Sequence, residues 1–135
     1  MRRVQMEGLD STMKKLAFQL GLVAAVFAAP ALASDPWEAH DVAAGAALGT
    51  LLVVDYLQTR QIAKNPGEFH ETNPILGEHP SIGKVNNYFM LASALTYVFI
   101  DALPSEYRSY VLAAGIVVQA GVVAGNFNLG IKARW

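Results

Sequence analysis

Apolar residues fill most of the chain in long blocks, not in the spaced stripe of a soluble amphipathic helix. Residues 42–54 carry no charge, residues 88–100 are mostly apolar, and residues 113–125 offer Gln119 as their only polar side chain. Blocks of this length predict α-helices at about 37–63, 84–102 and 105–131. Transmembrane β-strands would alternate every second residue and be separated by many turns; neither feature is present. The blocks predict an all-α fold, a membrane helical bundle with three transmembrane helices. The second is short for a span and relies on tilt or local thinning. Tyr107 and Tyr110 at the start of the third, and Lys132, Arg134 and Trp135 after it, are placed as interfacial anchors.

One further apolar block precedes these. Met13-Lys14-Lys15 is a basic start, residues 16–29 are apolar, and Pro30-Ala31-Leu32-Ala33 ends in small residues. That order is the signature of a signal peptide, 13–33, cleaved before Ser34. Uncleaved, it makes a fourth helix. Residues 1–12 play no part in it and read as an upstream extension, with Met13 as the expected start. The mature domain is then 34–135.

Polar residues concentrate between the first two mature helices, in loop 64–83. Asn65-Pro66-Gly67 is a turn signal, and Pro74-Ile75-Leu76-Gly77 reads as a single turn stopped by glycine. Loops this long between packed helices are often functional.

Composition narrows the class. Of 135 residues, 53% are hydrophobic and 16% charged, against about 25% charged in an ordinary soluble domain. The net charge of −1 gives no basic face for nucleic acid. The absence of cysteine excludes disulfides, thiolate metal sites and cysteine nucleophiles. Residues 34–41 contain three acids and no Lys or Arg, whereas Arg60, Lys64 and Lys84 flank the long loop, and Lys132 and Arg134 follow the third helix. Basic residues mark the cytoplasmic side. The expected location is therefore the bacterial inner membrane, mature N-terminus periplasmic and C-terminus cytoplasmic.

This topology gathers the polar residues. Asp55, Gln58 and Thr59 share one helix face by their spacing, and a carboxylate at that depth is expected to face the bundle interior. Glu71, Asn73 and Pro74, with His70, Glu78 and His79, lie in the loop on the same side. Asn86, Asn87, Asn126 and Asn128 lie at the helix ends on that side too. Three chemistries compete for the group. In the first, a divalent metal is held by His70, Glu71, His79 and Asp55, although no ligand pair has a diagnostic spacing and Pro74 stands where H-E-x-x-H needs its second histidine. In the second, Asp55 or Glu71 acts as a base partnered by His70. In the third, the default, the carboxylates accept hydrogen bonds and Asn73 caps a turn, because buried polar groups need partners. No cofactor is expected on that default. Gln119 is expected to bond across a helix interface to Ser93 or Thr96. Gly45-x-x-x-Gly49 and Gly121-x-x-x-Gly125 allow close helix packing, within one chain or in a homo-oligomer.

Asp55-x-x-Gln58-Thr59 followed by Glu71-x-Asn73-Pro74-Ile75-Leu76-Gly77 resembles a pattern in small bacterial and prophage multi-pass membrane proteins of unknown function. The resemblance implies that Asp55, Gln58, Thr59, Glu71, Asn73 and Pro74 form one unit. It implies no activity. The expected protein is a small, non-enzymatic inner-membrane protein whose partners are the bilayer and a second copy or another membrane protein. A holin-like permeabilising protein and a metal-dependent membrane enzyme are the alternatives.

Overall fold

The computed structural model describes residues 35–135. The expected extension 1–12 and signal peptide 13–33 lie outside the described residues. Among the described residues the chain is all-helical, with three α-helices and no strand: α1 (Ala39–Lys64), α2 (Ile82–Asp101) and α3 (Ser105–Asn128). Two of them, α1 and α3, are long and apolar enough to cross a membrane. Their 26 and 24 residues correspond to about 39 and 36 Å, against a hydrocarbon core of about 30 Å. The 20-residue α2 falls short of that apolarity because Lys84, Asn86 and Asn87 occupy its first two turns.

The helix ends follow local chemistry. Glu38 precedes α1, and its backbone N–H donates to the Asp41 carboxylate at 3.4 Å. At the other end the Asn65 side chain donates to the Gln61 carbonyl. Ser81 caps α2 by accepting from the Lys84 N–H, satisfying one of the unpaired donors of a helix start. The end of α3 lies three residues before the expected Ile131. Gly130 adopts φ 81°, its N–H donates to Phe127, and the Ile131 N–H donates to Asn126. These two bonds form a Schellman closure. The reversal turns Ile131 back into the protein, where it is buried.

The helices run up, down and up, with α1 packed against both others and little contact between α2 and α3. Leu48, Ile100 and Leu112 form one core cluster near the start of α1, backed by Trp37 and Leu52. Leu76, Val85 and Phe89 form a second beneath the loop. Leu76 is therefore a core residue, while its neighbour Ile75 stays exposed.

Loop 65–81 is ordered by its own backbone. The Asn73 side chain accepts from the Ile75 N–H, and its carbonyl accepts from Leu76 and Gly77. Gly77 has φ 75°, a conformation that favours glycine. The Glu71 N–H donates to the Glu78 carbonyl, and Lys84 Nζ reaches the Leu76 carbonyl at 2.7 Å.

Candidate functional site

A cleft of about 440 Å³ opens where α2 and α3 part, floored by α1 and roofed by the loop. Asp55, Thr59, His70, Glu71 and Asn73 all line it, joined by Gln119 and Asn126 of α3. Gln58 lies beneath it, fully buried.

Hydrogen bonds tie α1 to α3 under this cleft. Gln119 Nε2 donates to Asp55 Oδ2 at 2.6 Å, and Asn126 Nδ2 reaches Asp55 Oδ1 at 3.4 Å. Asn126 also donates to Gln58 Oε1 at 3.1 Å. Gln58 Nε2 in turn donates to the carbonyls of Val123, at 3.2 Å, and Ile131, at 3.4 Å. Gln58 thus holds the reversed C-terminal segment that the Schellman closure delivers. The partner of Gln119 is Asp55, not Ser93 or Thr96. Those two line the same cleft, but Thr96 Oγ1 donates to the Ala92 carbonyl within its own helix.

The loop half of the group is bonded within itself. Glu71 Oε1 accepts from the Asn73 N–H at 2.8 Å. Glu71 and Asn73 share the cleft with Asp55 without a hydrogen bond to it among the described residues. Pro74 is exposed in the turn that Asn73 closes.

The histidines meet each other instead of the carboxylates expected beside them. Pairing of Glu71 with Glu78 brings the rings of His70 and His79 to 5.1 Å. Candidate ligand atoms of His70, Glu78 and His79 lie within 4.8 Å of one another, and all three residues are exposed. Asp55 and Glu71 are not in this group; Glu78 takes their place.

The two glycine pairs differ. A Cβ on Gly45 would come within 2.9 Å of the Trp37 ring, and one on Gly49 within 2.8 Å of the Tyr97 hydroxyl. Tyr97 donates to the Gly45 carbonyl at 2.6 Å, so this pair seats Trp37 and Tyr97 of the same chain. Among the described residues, nothing lies within 4 Å of such an atom on Gly121 or Gly125.

A second polar centre, at the opposite end of the bundle, went unread in the sequence. Arg108 and Asp41 are buried and form an ion pair at 3.3 Å. Arg108 also donates to the carbonyls of Asp35, Pro36 and Leu103, and its guanidinium lies 5.3 Å from the Trp37 ring centroid. Trp37 Nε1 donates to Asp101 at 2.7 Å. Ser109 donates to Asp41 and contacts His40 at 2.9 Å. The Asp35 carboxylate accepts from the Ser105 N–H at the start of α3, and this bond holds its pKa below the usual aspartate value. The signal for this centre was present: an arginine one turn into an apolar helix requires a buried partner.

Among the described residues, fold and site define an all-helical class: three helices, two of them long and apolar enough to cross a membrane, with a polar network at each end. No protein-family model, curated protein or solved structure matches the chain. The resemblance of the Asp55 to Gly77 pattern rests on its motif residues alone.

Proposed function

We propose that the chain is a small, non-enzymatic integral protein of the bacterial inner membrane, with three spans and a polar cleft that serves as a binding module at the cytoplasmic face. The carrying observation is its reversed polarity. Gln58 and Arg108 are 0% exposed and Asp41 is 1% exposed, whereas Met90 is 70% exposed and Val117 72%. In water this arrangement desolvates charge while leaving broad apolar surface wet. In a bilayer, lipid covers Val53, Leu91, Phe99 and Val118, and ionisable groups turn inward. The binding role is supported by the polar residues bonding to one another, which holds the cleft walls in place. The orientation rests on the Lys and Arg distribution, and the grouping of Asp55 with Glu71 is also supported by the motif resemblance.

Alkaline carbonate extraction of membranes carrying the full chain tests the first half of this reading: retention is expected, and release into the soluble fraction overturns it. Limited proteolysis tests the second half. Asp55→Ala is expected to loosen the end of α3 that Gln119 and Asn126 tie to α1 and to expose residues 126–135 to cleavage, and unchanged resistance removes the network from its holding role.

The Gly121–Gly125 face, open among the described residues, favours a second reading, a holin-like protein that permeabilises the membrane through helix association. Abrupt growth arrest and leakage on induced expression support it; sustained growth removes it. The signal peptide expected at 13–33 counts against it.

A further inference from the structure

We infer that the cleft between α2 and α3 binds a primary alkylammonium ion, an inference that rests on the binding-module reading above. Size is the first argument. At about 440 Å³, the cleft falls within the usual range of about 300–1,000 Å³ for small-molecule sites. Charge is the second. Among the described residues two carboxylates, Asp55 and Glu71, line it, and no Lys or Arg does. His70 is the one described lining residue of a basic type, and it sits beside Glu78, at 3.5 Å.

Unused acceptor capacity is the third argument and is independent of charge. Thr59 lines the cleft and is 4% exposed, and its side-chain hydroxyl makes no hydrogen bond among the described residues. Asp55 receives two hydrogen bonds and Glu71 one, whereas an ionised carboxylate offers about four acceptor positions. An ammonium group carries three donors and no acceptor, matching Asp55, Glu71 and Thr59 in number and kind. The remaining wall is apolar and aromatic, with Leu52, Tyr88 and Phe89 among its residues. Tyr88 and Phe89 meet edge to face at 5.3 Å. An alkyl chain suits that wall, and an aromatic face adds attraction for the cationic head.

The experiment uses the full chain in detergent micelles and follows the side-chain amide resonances of Gln119 and Asn126 as butylammonium is added. Saturable shifts are expected with butylammonium chloride and not with potassium chloride at equal ionic strength, butanol or butyrate. Glu71→Gln, which retains an acceptor for the Asn73 N–H, should weaken binding about tenfold while leaving the ligand-free spectrum intact. Equal shifts with butanol or butyrate overturn the ammonium assignment while the cleft remains a binding site. Equal shifts with potassium chloride, no saturable shift, or an unchanged affinity in Glu71→Gln also overturn it. Failure of the underlying reading has its own signature: the two amides would be averaged with solvent-exposed ones before any ligand is added.

Discussion

Asp55 is the acceptor on which two amides of α3 converge. Asp55→Ala strands the Gln119 donor in a half-buried setting and leaves Asn126 with Gln58 as its acceptor; it is expected to cost about 1–2 kcal/mol, read as a lower thermal midpoint in detergent. Asp55→Asn keeps an oxygen for Gln119 and should lose less; an equal loss would mean that charge, not the hydrogen bond, carries the contribution. The pair Arg108–Asp41 makes a sharper case. Removing one partner of a buried ion pair leaves the other uncompensated, so Arg108→Met should destabilise more than Asp55→Ala, and adding Asp41→Leu should restore much of the loss. Asp35 gives a dependence on pH. Its folded pKa is depressed by the Ser105 N–H, so its contribution is complete above the unfolded value of about 3.9 and fades as pH falls through the lower folded value. Asp35→Asn should lower stability at neutrality and flatten the acid limb of a stability–pH curve, the variant and the parent converging as pH falls below the folded value. Sequence spacing was enough to place Asp55, Gln58 and Thr59 on one face. It could not give Gln58 its partners, because two of these are backbone carbonyls, and the Ile131 carbonyl arrives only once Gly130 ends α3.

At the scale of elements, identical small-residue spacings do different work. In α1 the pair Gly45 and Gly49 is filled from within the chain by Trp37 and Tyr97. Gly49→Ala forces the tyrosine hydroxyl away from the Gly45 carbonyl and should cost about 1–3 kcal/mol. Gly121→Ala and Gly125→Ala meet no neighbour among the described residues and gain helix propensity of about 0.8–1 kcal/mol each. Thermal unfolding of the four single variants should therefore separate into two losses and two gains; a loss at Gly121 or Gly125 would show that another helix covers that face. The G-x-x-x-G pattern was legible in the sequence, but its occupant was not. Spacing along one helix carries no information on which aromatic side chain of a neighbour reaches it. The loop was legible for the opposite reason. Asn73, Pro74 and Gly77 encode their turn locally, whereas the meeting of His70 with His79 depends on the pairing of Glu71 with Glu78 across that turn.

For the whole molecule, the open question of architecture is whether α2 crosses the bilayer, since its composition alone does not require it. Its contacts with α1 supply the argument. Tyr97 of α2 bonds Gly45 near the start of α1, and Asn86 of α2 bonds Tyr56 eleven residues further on, a rise of about 16 Å along α1. A helix held to α1 at both points runs beside it through most of its length. If α1 spans, α2 is expected to span with it, its asparagines near one interface and Asp101 near the other. The chain has no cysteine, so single cysteines report position cleanly. Glu78→Cys, Glu106→Cys and Trp135→Cys sit at exposed positions in the loop, at the start of α3 and at the C-terminus. In intact spheroplasts an impermeant maleimide should label Glu106→Cys and leave Glu78→Cys and Trp135→Cys unmodified until lysis. Labelling of Glu78→Cys and Glu106→Cys from the same side would mean that α2 does not cross. Labelling of Glu78→Cys and Trp135→Cys, with Glu106→Cys protected, would keep three spans but reverse the orientation. The Asp55 cleft would then face the periplasm, and its ligand would have to be sought outside the cell membrane.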